Sequence, residues 1–290
     1  MAPLAPPTMD LLKLLYRGDR KDEDGRFGST LVHASSFVHM PHCARMLFLG
    51  NYLKEQGVEY RNPVFGSMKL VWAYGRAAER HVRETLLADE GMRRAAWGSW
   101  RCTCGHTTFR GHLPASPPRC SRCRHRVTNY HEGTLIDRVH GIAGNPDFVY
   151  LDGSRYRVVE IKSIKGSSTP QNPGFVDLTA PQPSHVEQGV HYVRLFENEG
   201  MAVHPEPHIL YVLKDFDPRQ WYKLLIPSEA MLARAREDVD NARAVSRQYT
   251  EALASGNCPP MLERCQADHT SLQKQCEVWA ECIGRHRSGG

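Results

Sequence analysis

The chain has 290 residues, a formal net charge of +5, 41% hydrophobic residues and nine cysteines. This is apolar enough for a core of roughly two domains and excludes a disordered chain, while no run approaches the roughly eighteen apolar residues of a membrane span. The odd cysteine count excludes a fully paired disulfide framework. The N-terminus lacks the features of a secretory signal, so a cytoplasmic, reducing setting is expected, in which clustered cysteines are more often metal ligands than disulfides.

Residues 1–30 read as a flexible N-terminal segment, with a short amphipathic piece (Met9–Tyr16) followed by a solvated charge run. Residues 31–98 read as a helical part. One helix is expected over Ser35–Gly57, with Pro41 at its first turn or at a kink and Gly57 as its stop. A second is expected from Ser67 to about Asp89, ending near Gly91. Residues 99–127 break the pattern and form an insertion rich in Cys, Arg, Pro and His. Residues 128–227 predict strands at Tyr130–Asp137, Asp147–Leu151 and Arg155–Ile161. A helix over Ser184–Glu197 follows, with Ser184 and Glu187 as a capping box, then strands at His208–Leu213 and Trp221–Ile226. Residues 228–290 predict a long helix from Ser228, a good N-cap, to Gly256, a good C-terminal stop, and then a cysteine-bearing tail. This order predicts an α/β or α+β core with an N-terminal helical layer. No G-x-x-x-x-G-K-[ST] loop is present, so no nucleotide cofactor of that kind is expected.

The insertion concentrates the charge. It carries six arginines (Arg101, Arg110, Arg119, Arg122, Arg124, Arg126) and no acid, so this window is +6 and the rest of the chain −1. Such a patch suits the phosphate backbone of DNA. Cys102 and Cys104 form one close pair, Cys120 and Cys123 another, with fifteen residues between the pairs. Four thiolates at this spacing, beside Gly105 and Pro117-Pro118, suit tetrahedral Zn²⁺, and a ribbon this small needs the metal to fold.

The most informative stretch is Gly141–Ser163. Asp147 opens one apolar strand, a turn at Asp152-Gly153-Ser154 reverses the chain, and Glu160 and Lys162 end a second. Residues two apart on a strand share a face, so Glu160 and Lys162 point the same way and a hairpin brings Asp147 near them. Two converging carboxylates can hold a divalent cation, which lowers the pKa of a water and shields phosphate charge. A neighbouring lysine can hold that water or steady developing negative charge.

On these residues the chain resembles the PD-(D/E)xK nuclease superfamily in its RecB-like branch. Pro146-Asp147 and Glu160-Ile161-Lys162 match the paired motifs of that family. Gln188 and Tyr192, four residues apart on one helical face, match its Q-x-x-x-Y motif. Gly75 and Glu79 match its upstream G-x-x-x-(H or E). The resemblance implies Glu79 as a further metal ligand, with His81 as the alternative, and the Ile161 carbonyl beside Asp147 and Glu160.

The remaining cysteines also fit a subset of that family. Cys43, in a C-x-R segment, lies upstream, and Cys258, Cys265, Cys276 and Cys282 lie in the last 33 residues. In the iron-sulfur subset, which includes CRISPR-associated exonucleases, the AddB subunit and phage exonucleases, one upstream and three tail cysteines hold a 4Fe–4S cluster. The resemblance implies Cys43, Cys265, Cys276 and Cys282 as ligands, with Cys258 as the alternative to Cys265.

The whole then reads as a restriction-endonuclease-like α/β core with an inserted zinc ribbon and an iron-sulfur tail. The implied activity is Mg²⁺- or Mn²⁺-dependent DNA cleavage, exonucleolytic on single-stranded or end-containing DNA. The implied settings are recombination, repair, phage DNA processing or CRISPR adaptation, with proteins of those pathways as partners and no membrane. The alternative is a non-catalytic DNA-binding adaptor on the same fold.

Overall fold

The computed structural model describes residues 31–39, 43–57, 66–167, 174–214, 221–263, 265, 276, 278 and 280–283. The expectations for residues 1–30 lie outside the described residues. The chain begins with β1 (Val32–His33), α1 (Ala34–His39), α2 (Ala44–Glu55), α3 (Gly66–Ala88) and α4 (Glu90–Ala95). The insertion follows with β2 (Trp97–Arg101), β3 (Thr108–His112) and β4 (Asn129–His131). Next come β5 (Leu135–Asp137), β6 (Ile142–Gly144), β7 (Phe148–Asp152), β8 (Arg155–Ile164), α5 (Pro183–Asn198), β9 (His208–Leu213), β10 (Tyr222–Leu225) and α6 (Glu229–Ser255).

The central sheet has the order β10-β9-β8-β7, with β8 and β9 parallel and both outer pairs antiparallel. The crossover between the parallel strands carries α5, as a parallel connection requires. α3 and α5 both pack on β8. Val82 of α3 is buried with Phe148, Val159 and Ile161, whereas Val193 and Phe196 of α5 share a core with Val158. A second sheet, β1-β6-β5, and a third, β3-β2-β4, flank this centre. α6 packs along α5 and α2. As expected, Ser228 caps it and Gly256 ends it at φ 72°.

Two expectations are corrected. The predicted strand Tyr130–Asp137 is two strands, β4 and β5, in different sheets. The chain leaves the first at Gly133, where an added Cβ would meet the Trp97 ring at 2.3 Å. The predicted capping box at Ser184 is not used. Pro183 takes the first helical turn, where its missing N–H costs nothing, and Gln182 becomes the N-cap without a side-chain bond. The helix expected from Ser67 to about Asp89 runs over Gly66–Ala88, and the Asp89 side chain, accepting from Met92 N–H at 2.7 Å, starts α4 across Gly91. The helix expected over Ser35–Gly57 is described as α1 and α2, with residues 40–42 outside the described residues.

Candidate active site

The site grows from a register mismatch in the hairpin. β7 begins opposite Val159, while β8 runs on to Ile164. Beyond Val159 that edge of β8 has no strand partner, and Asp147 supplies one. Its Oδ2 accepts the Ile161 N–H at 2.7 Å. The N–H and C=O of an extended residue point to the same edge, so the Ile161 carbonyl faces Asp147 as well.

Glu160 is fully buried, and neither of its oxygens has a hydrogen-bond partner of good geometry among the described residues. Only the Lys162 ammonium, 2.5 Å away, compensates its charge. Lys162 also donates to Gln188 Oε1 at 3.0 Å, and Gln188 Nε2 donates to the Tyr192 hydroxyl at 2.9 Å. The fold thus brings Glu160, Lys162, Gln188 and Tyr192 into one chain of contacts. Burial, then Asp147, push the Glu160 carboxyl up to about 8. Burial also raises Asp147, partly offset by Lys162 and by the Ile161 N–H. For Lys162, burial opposes the charged form, but Glu160 and Asp147 outweigh it and raise its pKa.

α3 adds a third carboxylate. Gly75 sits close to β8, where an added Cβ would lie 3.4 Å from Ser163 Oγ. Glu79, one turn on, lies within charge range of Asp147 and Lys162, and burial and Asp147 raise its pKa. The His81 side chain is exposed.

Two residues at the site had not been singled out. Arg83 pairs with Glu132 of β4's C-terminal end at 2.6 Å. Burial and Asp147 raise Glu132 to about 7, against the pull of Arg83. Arg83 had a signal, because Gly75, Glu79 and Arg83 are successive fourth residues on one helix face. Glu132 had none, since only the packing of the inserted sheet carries it here.

The insertion gathers Cys102, Cys104, Cys120 and Cys123 with all four sulfurs within 4.8 Å of one another. Among the described residues no other three or more Cys, His or acidic side chains converge so closely. Cys104 Sγ lies 3.6 Å from both Cys102 and Cys120 Sγ, near the roughly 3.8 Å edge of a tetrahedron of thiolates about 2.3 Å from zinc. Each pair ends in a left-handed residue, Gly105 at φ 71° and Arg124 at φ 62°. The Cys123 N–H and the Thr107 hydroxyl hold the Cys120 thiol down to about 5, favouring a thiolate. Five of the six arginines are exposed and have no acidic partner among the described residues. Arg110 differs: it pairs with Glu199, donates to the Thr134 carbonyl and lies over the Trp97 ring.

The tail returns to the N-terminal helices. Cys43 is the N-cap residue of α2, and the buried Arg45 donates to Cys282 Sγ at 3.2 Å and to the Pro259 carbonyl at 2.8 Å. Cys43, Cys265, Cys276 and Cys282 lie within charge range of one another. Burial pushes the Cys276 thiol up to about 11 and raises Cys43 as well. Cys258 packs against the same apolar cluster.

No helix among the described residues is long and apolar enough to cross a membrane. No protein-family model matches the sequence, and no curated protein does. Among solved structures, the chain is similar to an alkaline exonuclease (LHK-Exo) from Laribacter hongkongensis, at 12% identity and a TM-score of 0.41, over 84% of this chain and 97% of that one.

Proposed function

We propose that the chain is a metal-dependent deoxyribonuclease. The observation that carries this reading is Glu160, a fully buried carboxylate paired at one oxygen with Lys162, with no other hydrogen-bond partner among the described residues, and neighboured by Asp147. A buried charge this poorly compensated is costly, and a hard cation is the partner its oxygens fit. Asp147, Glu160, Glu79 and the Ile161 carbonyl would hold Mg²⁺ or Mn²⁺, which lowers the pKa of a water and offsets phosphate charge. Lys162 holds the attacking water and steadies the charge developing on phosphorus. The water oxygen forms a new bond to phosphorus as its proton passes to solvent, one bridging P–O bond breaks, and the departing oxygen takes a proton from solvent. Gln188 and Tyr192 fix the Lys162 ammonium.

The four thiols of the insertion suit Zn²⁺, and Cys43, Cys265, Cys276 and Cys282 suit a 4Fe–4S cluster that would tie both ends of the chain together. Arg101, Arg119, Arg122, Arg124 and Arg126 offer the ribbon's free cations to a DNA backbone. Exonuclease action on single-stranded or end-containing DNA, in recombination, repair, phage DNA processing or CRISPR adaptation, rests on the motif resemblance.

The test incubates end-labelled and circular DNA, single- and double-stranded, with the holoprotein and Mn²⁺. Mn²⁺-dependent cleavage that Asp147→Ala and Glu160→Ala abolish is expected. Cleavage unchanged in both variants, or DNA binding without cleavage, would leave the adaptor reading instead.

A further inference from the structure

We propose that Arg83 grips a phosphate of the DNA strand at this centre, and that Glu132, delivered by the inserted sheet, positions it. The inference rests on the nuclease reading and adds two residues to it. The cations whose charge acts on Asp147 are Lys162 and Arg83. Lys162 is already engaged by Glu160 and Gln188. Arg83 spends one of its five N–H donors on Glu132 and the others on no protein group among the described residues. Its side chain is 19% exposed, so this fork is half-buried beside Asp147 rather than free in solvent. A guanidinium is the side chain whose planar donor fork fits phosphate in two-point contact.

The geometry around Glu132 explains how the fork is aimed. β4 pairs with β2, whose next residue is Cys102, so the strand belongs to the sheet that carries the four thiols. Tyr130 of β4 packs its ring on Phe148, the neighbour of Asp147, with centroids 5.8 Å apart. Its hydroxyl donates to the Trp97 carbonyl at 3.1 Å. Two residues on, Glu132 meets Arg83 at 2.6 Å. The pair is largely buried, so Glu132 holds the guanidinium in one place. The donors that Arg83 does not spend on Glu132 are left for an anionic ligand.

The test measures steady-state cleavage of end-labelled DNA with Mn²⁺, across a salt series, by the holoprotein and its variants. Arg83→Ala should raise KM at least about tenfold and reduce the slope of log KM against log salt by about one phosphate contact. Arg83→Lys should keep the salt slope while losing part of the affinity, which separates a charge contact from misfolding. Glu132→Ala should raise KM similarly, and the double variant should be no worse than Arg83→Ala. Wild-type KM and slope in Arg83→Ala would overturn the inference, and so would fully additive losses in the double variant, which would give Glu132 a separate role. If the wild type cuts and Asp147→Ala does not, an unaffected Arg83→Ala removes this inference alone. If the wild type cuts no DNA, the nuclease reading falls and takes the inference with it.

Discussion

The Lys162 ammonium lies 3.0 Å from Gln188 Oε1, and that amide is fixed in turn by the Tyr192 hydroxyl. Gln188 is 6% exposed and Tyr192 1%, so neither can easily take another partner. Donation runs in one direction, from the lysine through Gln188 to the Tyr192 hydroxyl. Lys162→Ala should lower kcat by about 10²–10⁴, the scale of a lost proton-handling or charge-stabilising group. Gln188→Ala should cost about tenfold, as loss of an orienting partner does, and Tyr192→Phe less. Measured kcat values ordered otherwise, with Tyr192→Phe the worse of the last two, would show that the tyrosine acts by another route.

Gly144 sets the position of that tyrosine. A Cβ there would meet Tyr192 Cε1 at 2.7 Å and Leu195 Cδ1 at 2.9 Å. β6 can therefore approach α5 only through a glycine. Gly144→Ala should push the ring away, destabilise the fold by about 1–3 kcal/mol and lower kcat through Gln188. Thermal unfolding and kcat measured together check this, and an unchanged melting temperature would mean that the ring has room to move.

The carboxylates predict a pH dependence of stability. Burial raises Glu160 to about 8 and Glu132 to about 7. A carboxyl whose folded pKa exceeds its unfolded value binds its proton more tightly when folded. The stability it contributes is present below the unfolded pKa and is lost as pH rises through the folded one. Protein without divalent metal should thus lose stability from these groups between about pH 5 and pH 8. A divalent cation binds the ionised forms, so the melting-temperature gain on adding Mn²⁺ should grow over the same interval. Glu160→Gln should flatten that gain, and a gain independent of pH would argue against metal at these acids.

In the insertion, Gly105 and Arg124 occupy equivalent left-handed positions, each directly after the second cysteine of its pair. A side chain in that region costs on the order of 1 kcal/mol or more, and Arg124 bears that cost where Gly105 does not. Arg124→Gly should therefore slow release of zinc to a chelator and weaken DNA binding by one phosphate contact. Cys104→Ser, by contrast, should release the metal. Faster zinc release from Arg124→Gly would show that the arginine side chain braces the turn.

Much of the central sheet was legible because its signals are local. His208–Leu213 is bounded as the sequence predicts, and the Asp152-Gly153-Ser154 turn forms the hairpin with Gly153 at φ 65°. Alternation along a strand placed Glu160 and Lys162 on one face, and their contact follows from that alone. What escaped depends on distant packing. β1 is a two-residue strand whose sheet partner is β6, more than a hundred residues away. Glu132 reaches the centre because Tyr130 packs on Phe148, and Arg110 pairs with Glu199, 89 residues away. No spacing rule along the chain carries information of that kind.

The tail can be tested by its spare thiol. Cys276 lies within charge range of Cys43, Cys265 and Cys282, and Cys43 within that of Cys265 and Cys282, while Cys258 packs against the same apolar cluster. The proposed ligand set of Cys43, Cys265, Cys276 and Cys282 gives a multi-iron core one thiolate per iron. Anaerobically purified protein should be brown and should bleach on reduction. Cys258→Ser should keep its colour and iron, and Cys265→Ser should lose both. Arg45 donates to Cys282 Sγ, and such hydrogen bonds to ligand sulfur set a cluster's potential, so Arg45→Lys should shift the reduction potential with iron retained. A colourless protein holding two zinc ions and no iron would sink the cluster, and iron lost from Cys258→Ser but kept by Cys265→Ser would exchange the two ligands.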